Sequence, residues 1–172
     1  PADFVREAEE AWRVGIRTAR PDIDWDIISK RMWEQIDYHQ TIEASLRIAP
    51  NLTVYKGTGA FTGPNSMSIS CAGKADEIIY GDKFVIAAGA RTQIPTVDGL
   101  ENAGYVTSET FFGERFPQKL WKSLAIVGGG AISAEFAHIF SAFGTKVTII
   151  ARSEILNKEE DEVARFVGRQ FI

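Results

Sequence analysis

Cysteine is nearly absent from this chain of 172 residues, in which Cys71 stands alone. An internal disulfide and a cysteine metal cluster are therefore excluded. Cys71 lies in the alternating run SMSISCA, residues 66–72, where a small strand residue is the expected role rather than a catalytic thiol. Histidine is almost as rare. His39 and His138 lie far apart in helical patterns, so we expect surface or packing roles for both rather than metal ligation.

An excess of positive charge is also lacking, since 19 Lys and Arg stand against 23 Asp and Glu, for a net charge of −4. This balance disfavours a nucleic-acid partner. Long apolar runs are missing too, and none approaches the roughly 20 residues that a membrane-spanning helix needs. The first residues show no signal-peptide pattern. We therefore expect a cytoplasmic protein without a nucleic-acid or membrane partner.

Periodicity predicts a helical start followed by a small antiparallel meander. Helices are expected over 2–18 and from Asp24, a good N-cap, over about 22 residues. Short alternating or apolar runs then predict strands, with the last of them buried at 84–87. The strand-forming runs are LTVYKG, SMSISCA, EIIYG and KFVIAAG. An irregular connector follows, with one short helical piece near 108–112.

From Leu124 onward the pattern alternates between strand and helix. Gly144 stands where the C-terminal cap of the first of these helices belongs. The alternation predicts one Rossmann βαβ unit and the start of the next crossover. The expected elements are a strand at 124–127, a helix at 131–143, a strand at 146–151 and a helix from about 159. A domain boundary is expected in the proline-bearing stretch before them, which divides the chain into 1–120 and 121–172.

The glycine run between the first strand and helix of this unit matches a dinucleotide-binding fingerprint. Gly128, Gly130 and Ser133 occupy the three small-residue positions of G-x-G-x-x-G. The first glycine allows a tight turn, and the second lets the backbone approach a pyrophosphate that lies on the helix N-terminus. Serine at the third position is still small enough for helix–strand packing. A glycine-rich turn that binds nothing is the alternative.

The end of the second strand distinguishes the two nicotinamide dinucleotides. An acidic residue there would bind the ribose 2′-hydroxyl of NAD, but this chain has Ala151 and Arg152. A guanidinium can bind a 2′-phosphate through charge-assisted hydrogen bonds. Lys158 could add a second cation, and Ser153 could donate from its hydroxyl. The pattern favours NADP(H) over NAD(H), the alternative being that Arg152 is a solvated surface residue.

Several motifs, in order and spacing, resemble the pyridine nucleotide-disulfide oxidoreductase family, which includes glutathione, mercuric and mycothione reductases and lipoamide dehydrogenase. FVIAAGART, residues 84–92, is similar to the family's second flavin-binding motif, except that Ala88 replaces its threonine. The remaining motifs are YKGTGAF at 55–61, Ile-Pro at 94–95, YVTSETFF at 105–112 and GGGAISAEFA at 128–137. Mycothione reductase-like sequences look most similar. The resemblance covers nearly the whole chain.

The resemblance implies an α/β, two-dinucleotide-binding flavoprotein fold with FAD and NADP as cofactors. Residues 1–120 would be the second part of the FAD-binding domain, and 121–172 the first half of the nicotinamide dinucleotide domain. Ala131 stands where several members carry an aromatic residue that shields the flavin. The implied FAD-binding residues are Thr58, Gly59, Ala87, Ala88 and Gly89. The implied nicotinamide dinucleotide-binding residues are Gly128, Gly130, Ala131, Ile132, Ser133, Glu135, Arg152, Ser153 and Lys158.

The family's redox dithiol, its catalytic His–Glu pair and its dimer interface have no counterpart in this sequence. The resemblance therefore implies an internal fragment that holds no catalytic residue and is inactive alone. The parent enzyme would be a homodimer that passes hydride from NADPH to FAD and reduces a small-molecule disulfide or related acceptor. Two alternatives stay open: a non-catalytic NAD(P)-binding module, and a flavoprotein reductase of the same architecture without a dithiol.

Overall fold

The computed structural model describes residues 1–171, and for residues 39 and 40 it describes the backbone only. The role expected for the His39 side chain therefore lies outside the described residues. The helices are α1 (Ala2–Glu10), α2 (Trp25–Asp37), α3 (His39–Arg47), α4 (Leu100–Ala103), α5 (Ser108–Phe111), α6 (Ala131–Ala142) and α7 (Asp161–Gly168). The strands are β1 (Thr58–Gly63), β2 (Ser66–Ser70), β3 (Glu77–Tyr80), β4 (Ser123–Val127) and β5 (Lys146–Ile150). This mixture of helices, an antiparallel sheet and a parallel pair is the expected α/β fold.

Contacts between residues divide the chain into two compact units. One contains residues 1–31 together with the chain from Ile94 onward, and the other contains Met32–Gln93. These units are defined by contacts between residues. The expected domains, 1–120 and 121–172, are defined by the cofactor that each would bind, and that division stays a prediction. No helix within residues 1–171 is long and apolar enough to cross a membrane.

The βαβ prediction is confirmed in the first unit. Strands β4 and β5 pair in parallel, from Ser123 opposite Lys146 to Val127 opposite Ile150, and α6 connects them. Gly144 has φ 94° and follows the C-cap of α6, as expected for a glycine that ends a helix. The hydroxyl of Thr145 donates to the Trp121 carbonyl at 2.6 Å. This bond ties the end of the α6 connection to the residues that lead into β4.

Aromatic side chains fill the core of this unit. Phe140 on α6 is only 1% exposed. Its ring stacks on Trp121 with centroids 5.1 Å apart and lies 5.9 Å from Phe111. Trp25 stacks on Phe116, and its indole N–H donates to the Pro117 carbonyl at 2.9 Å. Rings at these distances add attraction beyond the area that they bury.

Helix α1 packs against α6. Ala2 and Val5 form a buried cluster with Ala142 and Phe143. Polar contacts border the cluster. His138 Nε2 lies 2.9 Å from Asp3 Oδ1, and Arg6 donates to Ser141 Oγ at 2.7 Å. His138 therefore has the packing role expected for it.

Both N-terminal helices differ from their predicted lengths. The first was expected to reach residue 18 but ends at Glu10, followed by a 3₁₀ turn over Ala11–Val14 and by Gly15 with φ 85°. Asp24 caps α2 as predicted, since its Oδ1 accepts from the backbone N–H of Ile27 at 2.9 Å. The long helix expected after it is divided at Tyr38, whose carbonyl accepts both the N–H and the hydroxyl of Thr41. The Thr41 N–H thus bonds to a carbonyl three residues earlier, whereas in a regular α-helix it would bond to the carbonyl four residues earlier.

The antiparallel meander is confirmed in the second unit, with strand order β1-β2-β3. Thr58 pairs with Ser70, and Ser66 pairs with Tyr80. The strand predicted for LTVYKG at 52–57 is wrong, because β2 ends opposite Thr58 and leaves the preceding residues no strand to pair with. Cys71 directly follows β2 and is half-buried, close to the strand role expected for it.

The predicted buried strand at 84–87 is also wrong. These residues have no regular structure, and Val85 and Ile86 are 91% and 79% exposed. Apolar, β-branched residues favour a strand, but a strand forms only where a neighbouring strand accepts its hydrogen bonds. Within the described part of the chain, the only sheets are the β1-β2-β3 meander and the β4-β5 pair. Residues 84–87 therefore do not form a strand, although their composition favours one.

Candidate functional site

The turn after β4 has the geometry that the glycine fingerprint predicts. Gly128 has φ 125°, a backbone conformation that residues with a side chain rarely adopt. Its N–H donates to the Ile150 carbonyl at 2.9 Å, which continues the parallel pairing by one bond. A Cβ on Gly128 would lie 3.4 Å from Ser133 Oγ. The chain therefore turns sharply at the carboxyl end of the sheet, directly beside the first turn of α6.

Gly130 is a glycine for a different reason. Its φ of −83° and ψ of −178° are accessible to any residue, and a Cβ built on it meets no atom within 4 Å. Neither backbone strain nor internal packing requires a glycine here. Gly130 is the N-cap of α6, and its missing side chain leaves open the approach to the first backbone N–H groups of the helix. Such N–H groups have no partner within the helix and favour an anion.

The first turn of α6 combines exposed and packed positions. Ala131, Ile132 and Glu135 are exposed, Ile132 by 55%, whereas Ser133 is half-buried beside Gly128. The buried face of the helix begins with Ala134. Ser133 thus lies beside the turn at Gly128, and the other three side chains face the solvent.

The connection between β5 and α7 carries the candidate 2′-phosphate residues. Arg152, Ser153 and Lys158 are all exposed. Asn157 Nδ2 donates to Ser153 Oγ at 2.8 Å, which leaves the serine O–H free to donate elsewhere. Among the described residues, neither Arg152 nor Lys158 forms a hydrogen bond or ion pair with a protein group. Both cations are therefore available to an anionic ligand.

The structure brings the glycine turn and this connection together. The backbone N–H of Leu156 donates to the Gly129 carbonyl at 2.6 Å. Gly129, Leu156 and Asn157 were not among the site residues predicted from the sequence. Gly129 could have been suspected from its place inside the fingerprint. No sequence signal indicates Leu156. Its backbone is left-handed, with φ 59°, and a leucine in the sequence does not predict that conformation.

The residues expected near a flavin lie in the other unit, Met32–Gln93. Thr58 and Gly59 are exposed at the start of β1, and Ala87, Ala88 and Gly89 are exposed without regular structure. A Cβ on Gly59 would meet Met67 Sδ at 2.8 Å, so the methionine side chain would have to shift. Gly89 has φ 71°, which explains the glycine there. The rings of Phe61 and Phe84, with centroids 5.1 Å apart, link β1 to the segment that leads to Ala87.

Comparisons with known proteins agree on one family. The family described as pyridine nucleotide-disulphide oxidoreductase matches residues 7–172. Mycothione reductase from Mycobacterium tuberculosis is 33% identical over 168 residues, 94% of this chain and 35% of that enzyme. Mercuric reductase from Shigella flexneri is 28% identical over 160 residues, 91% of this chain and 28% of that enzyme.

A solved structure is similar as well. It is that of the HOCl-induced flavoprotein disulfide reductase RclA from Escherichia coli, with a TM-score of 0.67 and 25% identity. The similarity covers 98% of this chain and 35% of that one. The chain thus spans about a third of the length of these relatives.

Proposed function

Because the chain belongs to the pyridine nucleotide-disulphide oxidoreductase family, we propose that it contributes cofactor-binding residues to a flavin-dependent oxidoreductase that uses NADPH. The electron acceptor is a small-molecule disulfide or a related compound. The full-length protein is a cytoplasmic homodimer. The overall reaction consumes NADPH, a proton and the disulfide, and it yields NADP⁺ and two thiols.

The observation that carries this proposal is the open approach at Gly130. Within the described residues no protein atom requires a glycine there, and Gly130 leaves room for the pyrophosphate of a dinucleotide to come close to the backbone. The backbone N–H groups of Ala131 and Ile132 would donate hydrogen bonds to the pyrophosphate of the dinucleotide. The positive end of the α6 dipole stabilises its charge.

The preference for NADPH rests on the two cations after β5. Arg152 and Lys158 are exposed and lack a carboxylate partner within the described residues. Both would bind the 2′-phosphate, and the Ser153 hydroxyl would donate a hydrogen bond to the same group. An arginine forms two parallel hydrogen bonds with a phosphate, so it contributes orientation as well as charge.

Glu135 and the flavin residues complete the assignment. Glu135 would lie at the bound nicotinamide. Thr58 and Gly59 would bind the adenine end of FAD, and Ala87, Ala88 and Gly89 would bind its ribose and pyrophosphate. Bound FAD supplies two-electron chemistry between a reduced nicotinamide and a disulfide, while the residues of this chain bind and orient the cofactors.

The visible spectrum of the purified full-length protein tests this proposal. We expect the absorbance bands of oxidised flavin, and we expect anaerobic NADPH to bleach them faster than NADH does. A protein without flavin would support the alternative of a non-catalytic nucleotide-binding module. A flavoprotein that NADPH reduces, but that cannot then reduce a disulfide, would support the dithiol-free reductase.

A further inference from the structure

The connection between β5 and α7 folds back over the glycine turn. The hydrogen bond from Leu156 N to Gly129 O, 2.6 Å long, joins a residue between Arg152 and Lys158 to a residue between Gly128 and Gly130. One backbone bond therefore links the segment proposed to hold the 2′-phosphate to the turn proposed to hold the pyrophosphate.

Gly129 allows this close approach because it has no side chain. Its φ lies outside the left-handed region, so backbone strain does not require a glycine. A Cβ on Gly129 would lie 3.1 Å from Ala151 Cβ and 3.4 Å from Ile155 Cα. The first distance is shorter than ordinary van der Waals contact. An alanine at position 129 would therefore require the start of the connection to shift by a few tenths of an ångström.

Leu156 holds the other side of this contact. It is 6% exposed and packs with Ala134 of α6 and Ala164 of α7. Its φ of 59° is rare for leucine, and such a conformation persists only where the surrounding structure enforces it. The buried side chain and the bond to Gly129 together supply that constraint. The backbone around Leu156 is thereby fixed against both helices that border the connection.

We propose that Gly129 and Leu156 are positioning residues for the discrimination between NADPH and NADH. The inference rests on the function proposed above. The two residues hold the segment 152–158 at a set place relative to the α6 N-terminus, so that a nucleotide bound by its 5′-phosphate presents its 2′-phosphate to Arg152 and Lys158. Preorganisation of this kind raises affinity because less ordering is needed on binding.

The test measures the binding of two probes, adenosine 2′,5′-bisphosphate and adenosine 5′-monophosphate, which differ only in the 2′-phosphate. Calorimetric titration of the full-length protein gives the ratio of their dissociation constants. We expect wild-type protein to prefer the bisphosphate by about tenfold or more. Gly129→Ala lowers that ratio at least about threefold. Gly168→Ala is the matched control, because a Cβ there meets no atom within 4 Å.

A second pair of variants tests the same inference independently of Gly129. Leu156→Ala removes the buried side chain and should lower the ratio, whereas Leu156→Met fills a similar volume and should preserve it. Thermal unfolding of each variant verifies that it is folded. If Gly129→Ala does not fold, the Leu156 pair decides the question.

Each outcome separates the inference from the function on which it rests. A wild-type ratio near one overturns the proposed NADPH preference and this inference with it. A wild-type preference that Gly129→Ala or Leu156→Ala leaves unchanged overturns the inference alone. Equal weakening of both probes also overturns it, because the damage would then lie at the 5′-phosphate and not at the 2′-phosphate segment.

Discussion

Ser133 Oγ lies 3.4 Å from the position that a Cβ would occupy on Gly128. The third fingerprint position therefore packs directly against the first. A serine fits at this distance, which explains why the motif tolerates a residue larger than glycine there. A branched residue at 133 would bring additional atoms into the same space, beside a turn whose backbone is already left-handed at Gly128.

Replacement of Gly128 by alanine should damage this turn. The φ of 125° is strained for any residue with a Cβ, and we expect Gly128→Ala to lower the free energy of unfolding by about 1–3 kcal/mol. Urea denaturation of the full-length protein measures this change. Gly113→Ala is the control, because a Cβ there finds ordinary contact distances of 3.5 and 3.8 Å. Equal stability of the two variants would contradict the strained backbone.

Truncation of Phe140 should be the more severe change in the core. Phe140 is 1% exposed and contacts rings from several elements, so Phe140→Ala should lower the free energy of unfolding by about 3–5 kcal/mol. Phe4 is 75% exposed, and Phe4→Ala should change the free energy of unfolding by less than about 0.5 kcal/mol. Denaturant titration distinguishes the two. A small effect at Phe140 would show that this aromatic cluster is not the core of its unit.

The hydroxyl of Tyr55 should titrate later than an ordinary tyrosine. It donates to Glu77 Oε1 at 2.9 Å, and this hydrogen bond, followed by burial and the nearby negative charge, raises the pKa of Tyr55. A raised pKa means that the folded state holds the proton more tightly. The stabilisation is therefore complete below the unfolded pKa near 10 and is lost as pH rises through the higher folded value.

Tyrosinate absorbance during an alkaline titration tests this expectation. Tyr55→Phe should remove the late phase, and Glu77→Gln should move that phase to lower pH. An unchanged titration in Glu77→Gln would mean that Glu77 does not hold the proton of Tyr55.

Asn157 should act on a 2′-phosphate through Ser153. The Asn157 amide donates to Ser153 Oγ at 2.8 Å and orients the serine O–H outward. We expect Asn157→Ala to weaken binding of adenosine 2′,5′-bisphosphate about two- to tenfold, the range of one hydrogen bond. In a Ser153→Ala background, the same substitution should have little effect. Additive losses in this double-mutant cycle would contradict a role through Ser153.

The sequence predicted the βαβ unit well because its signals are local. The apolar runs of β4 and β5, the glycines at 128 and 130, and the terminating Gly144 each determine the conformation of their own few residues. Those elements appear within one or two residues of their expected bounds, the range over which helix ends are defined.

The two failed strand predictions have a shared cause. The runs at 52–57 and 84–87 have strand-forming composition, but a strand also needs a neighbour, and pairing is not encoded in the run itself. Leu156 illustrates the same limit within the site. Its left-handed backbone is held by contacts with Gly129 and Ala134, which are distant in sequence. The residues proposed to contact the cofactor were therefore found from the sequence, whereas those that position them were found only from the structure.

The preference for NADPH is measured by the affinities of the full-length protein for NADPH and for NADH. With Arg152 and Lys158 free to bind a 2′-phosphate, wild-type protein should bind NADPH at least about tenfold more tightly than NADH, a gap of roughly 1.4 kcal/mol. Arg152→Ala should remove most of that gap and leave NADH binding nearly unchanged. Equal affinities in the wild type, or an undiminished gap in Arg152→Ala, would contradict the account.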